Sequence, residues 1–91
     1  MVTVDLADIY VTDHALQRFR ERSLCNATEK TVKEAVHEAR PIRKSDPWPW
    51  HRPRVRGCAY RLHRILGVVF VLEHESDFVR VITCWKADQY R

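Results

Sequence analysis

The chain has only two glycines, Gly57 and Gly67, and one methionine. So little glycine excludes a flexible linker or a low-complexity repeat, both of which need a chain with wide backbone freedom. Cysteine is scarce and badly spaced for covalent or metal cross-linking. Cys25, Cys58 and Cys84 are odd in number and form no CxxC pair. That pattern predicts reduced thiols in a cytoplasmic protein, with no disulfide framework and no zinc motif. The longest apolar run, Ile65 to Leu72, falls far short of the roughly 20 residues needed to cross a bilayer. The early acids Asp5 and Asp8, with no basic start before an apolar stretch, predict no signal peptide and no membrane partner. His14, His37, His51, His63 and His74 are dispersed, and nothing in their spacing predicts a metal or a cofactor.

What is present is a chain of 91 residues, 45% hydrophobic and 31% charged, which predicts one small globular domain. Charge is unevenly placed. Residues 1–39 carry five Lys/Arg against seven Asp/Glu, and residues 65–91 carry three against four. Residues 40–64 carry eight against one. A single basic segment in an otherwise mildly acidic chain is the footprint expected for a polyanion, most often nucleic acid. The alternative is a solvated loop whose charge serves solubility.

The stretch Val11 to Arg22, VTDHALQRFRER, reads as a short helix capped by Thr12 or Asp13. His14, Arg18 and Arg22 follow one another at intervals of four, so they drift only about 80° around the axis and form a row. Ala15, Leu16 and Phe19 lie beside that row, spaced to face a core. An imidazole can act as general base, and a guanidinium offers a planar fork that matches two phosphate oxygens. The alternatives are a capping or surface histidine and arginines that serve only helix ion pairs. Gln17 and Glu21 pair by spacing, which leaves the two arginines without an obvious local acid.

A second helix is expected from Thr28 to Ala39, with Val32, Ala35, Val36 and Ala39 on one face and Pro41 as its stop. The next segment contains Pro47, Pro49 and Pro53, which exclude a regular helix or a central strand. Residues 41–57 therefore read as a long basic Pro/Trp-rich loop. Arg40, Arg43, Lys44, Arg52, Arg54, Arg56 and Arg61 supply charge in and around it, and His51 sits among them. Trp48 and Trp50 offer faces on which unpaired bases can stack, or else fold back onto a sheet as core.

Beyond Gly57 the period becomes two. Cys58 to Arg64 alternates, with Ala59, Arg61 and His63 on one side and Tyr60 and Leu62 on the other. Val68 to Glu73 is an apolar, β-branched strand, Ser76-Asp77 is a turn signal, and Phe78 to Lys86 is the last strand. Alternation in that last strand places Val79, Val81, Thr83 and Trp85 on one face. Met1 to Tyr10 is ambiguous, although Val2, Val4 and Leu6 alternate like a short strand. The fold expected is α+β, with two N-terminal helices packed on an antiparallel sheet of three to four strands.

The pattern T-x-H-A-x-x-R-x-x-x-R (Thr12, His14, Ala15, Arg18, Arg22), followed by an amphipathic helix and by V-x-V-I-T-x-W (Val79, Val81, Ile82, Thr83, Trp85), resembles a small bacterial and phage family. That family groups with RelE-like and BrnT-like proteins in the barnase–EndoU–colicin–RelE superfamily of nucleases. The resemblance spans roughly residues 9–86. It implies a single RelE-like domain over 1–91 and a metal-independent endoribonuclease, plausible as the toxin of a toxin–antitoxin pair. It also implies that His14, Arg18 and Arg22 form the helix side of a catalytic site, with Thr83 facing them from the last strand. RNA or another phosphate-bearing polyanion would be the ligand, and a small acidic antitoxin or a host protein the partner. In cleavage by the RNA's own 2′-hydroxyl, His14 takes the proton and the arginines hold the phosphate. Tyr60, His63 and His51 are the candidates to protonate the leaving oxygen. The chain departs from the family in Ser23, where members carry glycine, and in its long basic linker. Those departures admit a second reading: a non-catalytic nucleic-acid- or nucleotide-binding protein on the same scaffold, such as a phage-encoded inhibitor of a host defence system. A plain DNA-binding regulator is disfavoured by the mixed charge of the second helix.

Overall fold

A computed structural model of the chain describes residues 8–23, 26–42 and 57–87. Seven elements follow in order: β1 (Ile9–Val11), α1 (Asp13–Ser23), α2 (Glu29–Glu38), β2 (Arg40–Pro41), β3 (Ala59–His63), β4 (Val68–His74) and β5 (Val79–Lys86). The strands make one five-stranded sheet in the order β1-β5-β4-β3-β2.

The β3-β4-β5 meander is antiparallel, as the turn signals predict. Gly67 holds a positive φ of 66° in the first turn, a conformation that favours glycine. Glu75 N–H reaches the Phe78 carbonyl at 2.9 Å across the Ser76-Asp77 bend. The sheet is nevertheless mixed and larger than the expected three or four antiparallel strands. β1 adds to the free edge of β5 in parallel, with Ile9, Tyr10 and Val11 opposite Val79, Arg80 and Val81. β2 pairs antiparallel with β3 on the far edge. Three and two residues respectively are too few to leave a periodic signal, and Pro41 is tolerated because the edge strand needs no donor there. The possible strand over Val2, Val4 and Leu6 lies outside the described residues.

Both helices follow from local chemistry. Thr12 caps α1: its hydroxyl accepts from Ala15 N–H at 3.1 Å, and its carbonyl accepts from Leu16 N–H at 3.0 Å. Thr28 caps α2 in a reciprocal box with Thr31. α2 ends at Ala39, whose N–H still reaches the Ala35 and Val36 carbonyls while its own backbone turns extended. Arg40 is then in a strand, as the residue before a proline prefers.

β4 is the central strand, and Val68 to Leu72 are buried on both faces. On the helix side Phe70, Val68 and Leu72 join Ile9, Val11, Ala15, Phe19, Val32, Val36, Val79, Val81 and Cys84. Phe19 stacks on Phe70 with ring centroids 5.8 Å apart. On the other side Tyr60, Leu62, Val69 and Val71 form a second buried group, with Trp85 and Cys58 packed against it.

One irregularity decides which residues of β5 face which group. Val71 pairs with Thr83, but Leu72 pairs with Val81, so Ile82 is an extra residue in the ladder. Such a bulge advances the alternation by one. Val79 and Val81 face the helices, whereas Thr83 and Trp85 lie opposite Val71 and Val69 on the other side. The single face expected for Val79, Val81, Thr83 and Trp85 is therefore corrected. Strict alternation cannot anticipate a bulge.

Candidate phosphate-binding edge of the first helix

α1 is placed by Thr12. Its backbone N–H donates to the Val81 carbonyl at 3.3 Å, and its hydroxyl lies 2.9 Å from the Val81 oxygen and 3.1 Å from that of Ile82. The start of the helix is thus pinned to the β5 bulge, where the displaced carbonyls are available to a side chain. From there α1 packs along β5, driving Ala15 and Phe19 into the core. His14 and Arg22 are exposed and Arg18 is half-buried, so the row borders solvent.

The row stands close to the sheet. Burial pushes the Cys84 thiol up to about 12, and the positive charges of Arg22 and Arg18 act in the opposite direction. Both guanidinium groups are therefore near enough to β5 to be felt beneath the helix. Arg18 is not without a local acid. Its Nη1 lies 3.0 Å from Glu21 Oε1, while Gln17 Nε2 donates to the other Glu21 oxygen at 3.4 Å. Spacing matched Glu21 to Gln17, but a carboxylate accepts from both neighbours at once. Both side chains are about two-fifths exposed, so solvent screening holds the pair to about 0–1 kcal/mol.

Thr83 does not join the row. It lies on the opposite side of the sheet, 8% exposed, with a buried hydroxyl that has no hydrogen-bond partner among the described residues. Lys86, by contrast, is on the helix side of the sheet. It pairs with Val68, a helix-side residue, so it shares the face of Cys84 at the end of β5. Its signal is legible only after the bulge resets the alternation.

The remaining residues separate into two groups. Arg61 is committed to structure. Its Nε and one terminal nitrogen donate to the Ala39 carbonyl, and burial lowers its guanidinium from the ordinary value. Arg40 is exposed on β2. Arg43, Lys44, Trp48, Trp50, His51, Arg52, Arg54 and Arg56 lie outside the described residues. Of the proposed proton donors, Tyr60 is buried on the second face of the sheet. His63 accepts from Leu66 N–H at 3.2 Å through Nδ1, which leaves Nε2 to donate toward Glu38 at 3.4 Å. His51 is not among the described residues. No group of three or more His, Cys, Asp or Glu among the described residues is arranged to hold a metal ion. No helix among them is long and apolar enough to cross a membrane.

No family model, curated protein or solved structure matches the chain.

Proposed function

We propose that this protein is a metal-independent endoribonuclease of RelE-like type that grips RNA phosphate along the exposed edge of α1. The observation that carries the reading is the row itself. His14, Arg18 and Arg22 lie on one helix whose start is fastened to β5, with solvent on one side and a packed sheet on the other. Such a mounting presents charge to a ligand without the cost of ordering a loop.

In the proposed reaction His14 removes the proton of a 2′-hydroxyl. That oxygen forms a bond to phosphorus, the bond to the 5′-oxygen breaks, and the leaving oxygen takes a proton from water at this open edge. Arg18 and Arg22 stabilise the charge that accumulates on the non-bridging oxygens, an effect worth about 10²–10³ in rate per donor. General-base action by His14 is worth about 10²–10⁴. The basic segment at 41–57 supplies further charge for a polyanion. An acidic antitoxin would fit the same surface by charge.

A second reading is a non-catalytic nucleic-acid- or nucleotide-binding protein, such as an inhibitor of a host defence system. It is favoured by the position of Thr83 across the sheet and by the structural commitments of Tyr60 and His63. Incubation with RNA in EDTA separates the two. The nuclease yields fragments ending in 2′,3′-cyclic phosphate, and both His14→Ala and Arg18→Ala abolish them. Uncleaved RNA that is still bound by His14→Ala supports the binder and sinks the nuclease.

A further inference from the structure

His63 ends β3 where the chain turns into β4, and with Thr83 it is one of the two buried polar side chains among the described residues. It pairs with Val68, a helix-side residue, and lines a cleft of about 770 Å³ between α2 and the β3–β4 turn. Both ring nitrogens are engaged. Leu66 N–H donates to Nδ1 at 3.2 Å, and Nε2 lies 3.4 Å from Glu38 Oε1. A backbone N–H can only donate, so Nδ1 carries no proton and the ring is the neutral Nε2–H tautomer.

The neutral form is what fastens the turn. Among the described residues Leu66 N–H has no acceptor besides this ring, whereas Gly67 N–H donates to the His63 carbonyl at 2.8 Å. The Gly67 carbonyl in turn accepts from Ala87 N–H at 2.8 Å. The far end of the turn therefore rests on backbone bonds that no proton disturbs, and its near part rests on one imidazole. Protonation puts a hydrogen on each ring nitrogen. Nδ1 then faces the Leu66 N–H as a second donor, and that bond is lost.

Charged groups reach this region from each neighbouring element. Glu34 and Glu38 on α2, Arg40 on β2 and Arg64 in the turn line the same cleft, and α1 contributes the uncharged Phe19. Arg61, two residues earlier on β3, spends its guanidinium on the Ala39 carbonyl. Lys86 lies beyond Val68 in the same cross-strand row. Glu38 is the acid paired with the ring, and its side chain is 69% exposed, so solvent screens its pull on an imidazolium. That pull acts at Nε2 and restores no acceptor at Nδ1. We infer that His63 is a pH-sensitive latch on the β3–β4 turn: the neutral ring holds Leu66, and protonation releases the segment from Arg64 to Leu66 that forms one lip of the cleft. Histidine is the side chain whose charge changes between about pH 5 and 8, so the latch works within the physiological range. It sits on a different element from the α1 row and does not depend on the reaction proposed there. The lip that carries Ile65, 92% exposed, and Leu66 is thus fixed at neutral pH and loosened by acid.

An NMR titration of the isotope-labelled full chain, from about pH 8 to about pH 5, tests the inference. At the upper end, long-range proton–nitrogen spectra should show His63 protonated at Nε2 and bare at Nδ1. As the pH falls, exchange of the Leu66 amide with water, corrected for its intrinsic pH dependence, should speed up on the order of tenfold. Its midpoint should match that of the ring, while the Gly67 amide stays protected. His63→Asn sets an oxygen near the position of Nδ1 but cannot titrate, so it should hold Leu66 at every pH. Glu38→Gln should move both midpoints together to lower pH, because the protonated ring loses its carboxylate. An Nδ1–H tautomer at the upper end overturns the inference. So does a Leu66 amide indifferent to the ring's titration, an acid release that survives His63→Asn, or midpoints that separate in Glu38→Gln. That last comparison decides the matter if His63→Asn does not fold.

Discussion

Replacing Thr12 with valine tests how the first helix is mounted. Valine keeps the shape and β-branching of threonine and removes only the hydroxyl. That hydroxyl accepts from Ala15 N–H at 3.1 Å and donates to the carbonyl pair of Val81 and Ile82 at 2.9 and 3.1 Å. Loss of an N-cap side chain costs about 1 kcal/mol. Loss of the donated bond costs about another 1 kcal/mol, since the Val81 carbonyl keeps its bond from the Thr12 backbone. The sum, about 2 kcal/mol, corresponds to a fall in melting temperature of about 8–16 °C for a domain of this size. Urea unfolding followed by tryptophan fluorescence and by circular dichroism measures it, and the slope against urea should not change. Thr12→Ser, which keeps the oxygen, should recover most of the loss. A valine variant within about 0.5 kcal/mol of wild type, or a serine variant as unstable as the valine one, would refute the account of how α1 is anchored.

Two further outcomes follow from buried groups. Cys84 is shielded and its thiol is pushed up to about 12, so iodoacetamide at mildly alkaline pH should modify it only after unfolding, as peptide mass mapping would show. The same shift gives a pH dependence. The unfolded thiol loses its proton near its ordinary value of about 9 while the folded one keeps it, so this contribution to stability is intact below about pH 9 and is lost progressively toward pH 12. Cys84→Ala should flatten that decline in alkaline unfolding curves. Arg61→Met keeps much of the side chain's bulk but removes both donors to the Ala39 carbonyl. It should cost about 1.5–3 kcal/mol in denaturant unfolding and leave the salt dependence of RNA binding unchanged, because its guanidinium is already engaged.

Much of the fold was legible in the sequence because its signals are local. The 3.6-residue period of Val32, Ala35 and Val36, the caps at Thr12 and Thr28, the turn at Gly67 and the alternation of Ala59 to His63 each depend on neighbours within a few residues. Periodicity alone also set His14, Arg18 and Arg22 in a row. Tertiary structure decided what local pattern cannot encode. The pairing of β1 with β5 joins residues about 70 positions apart, and its three residues carry no period of their own. The extra residue Ile82 moved Thr83 to the far side of the sheet and brought Lys86 to the side of Cys84, because one inserted position reverses every later side chain. Arg61 was assigned to nucleic acid by its charge, yet burial against the end of α2 gave it a backbone carbonyl to hold. The sequence by itself determined where the two helices and the three meander strands form, because those signals are local. Only the packed sheet determined which of them meet, since that depends on register between distant strands.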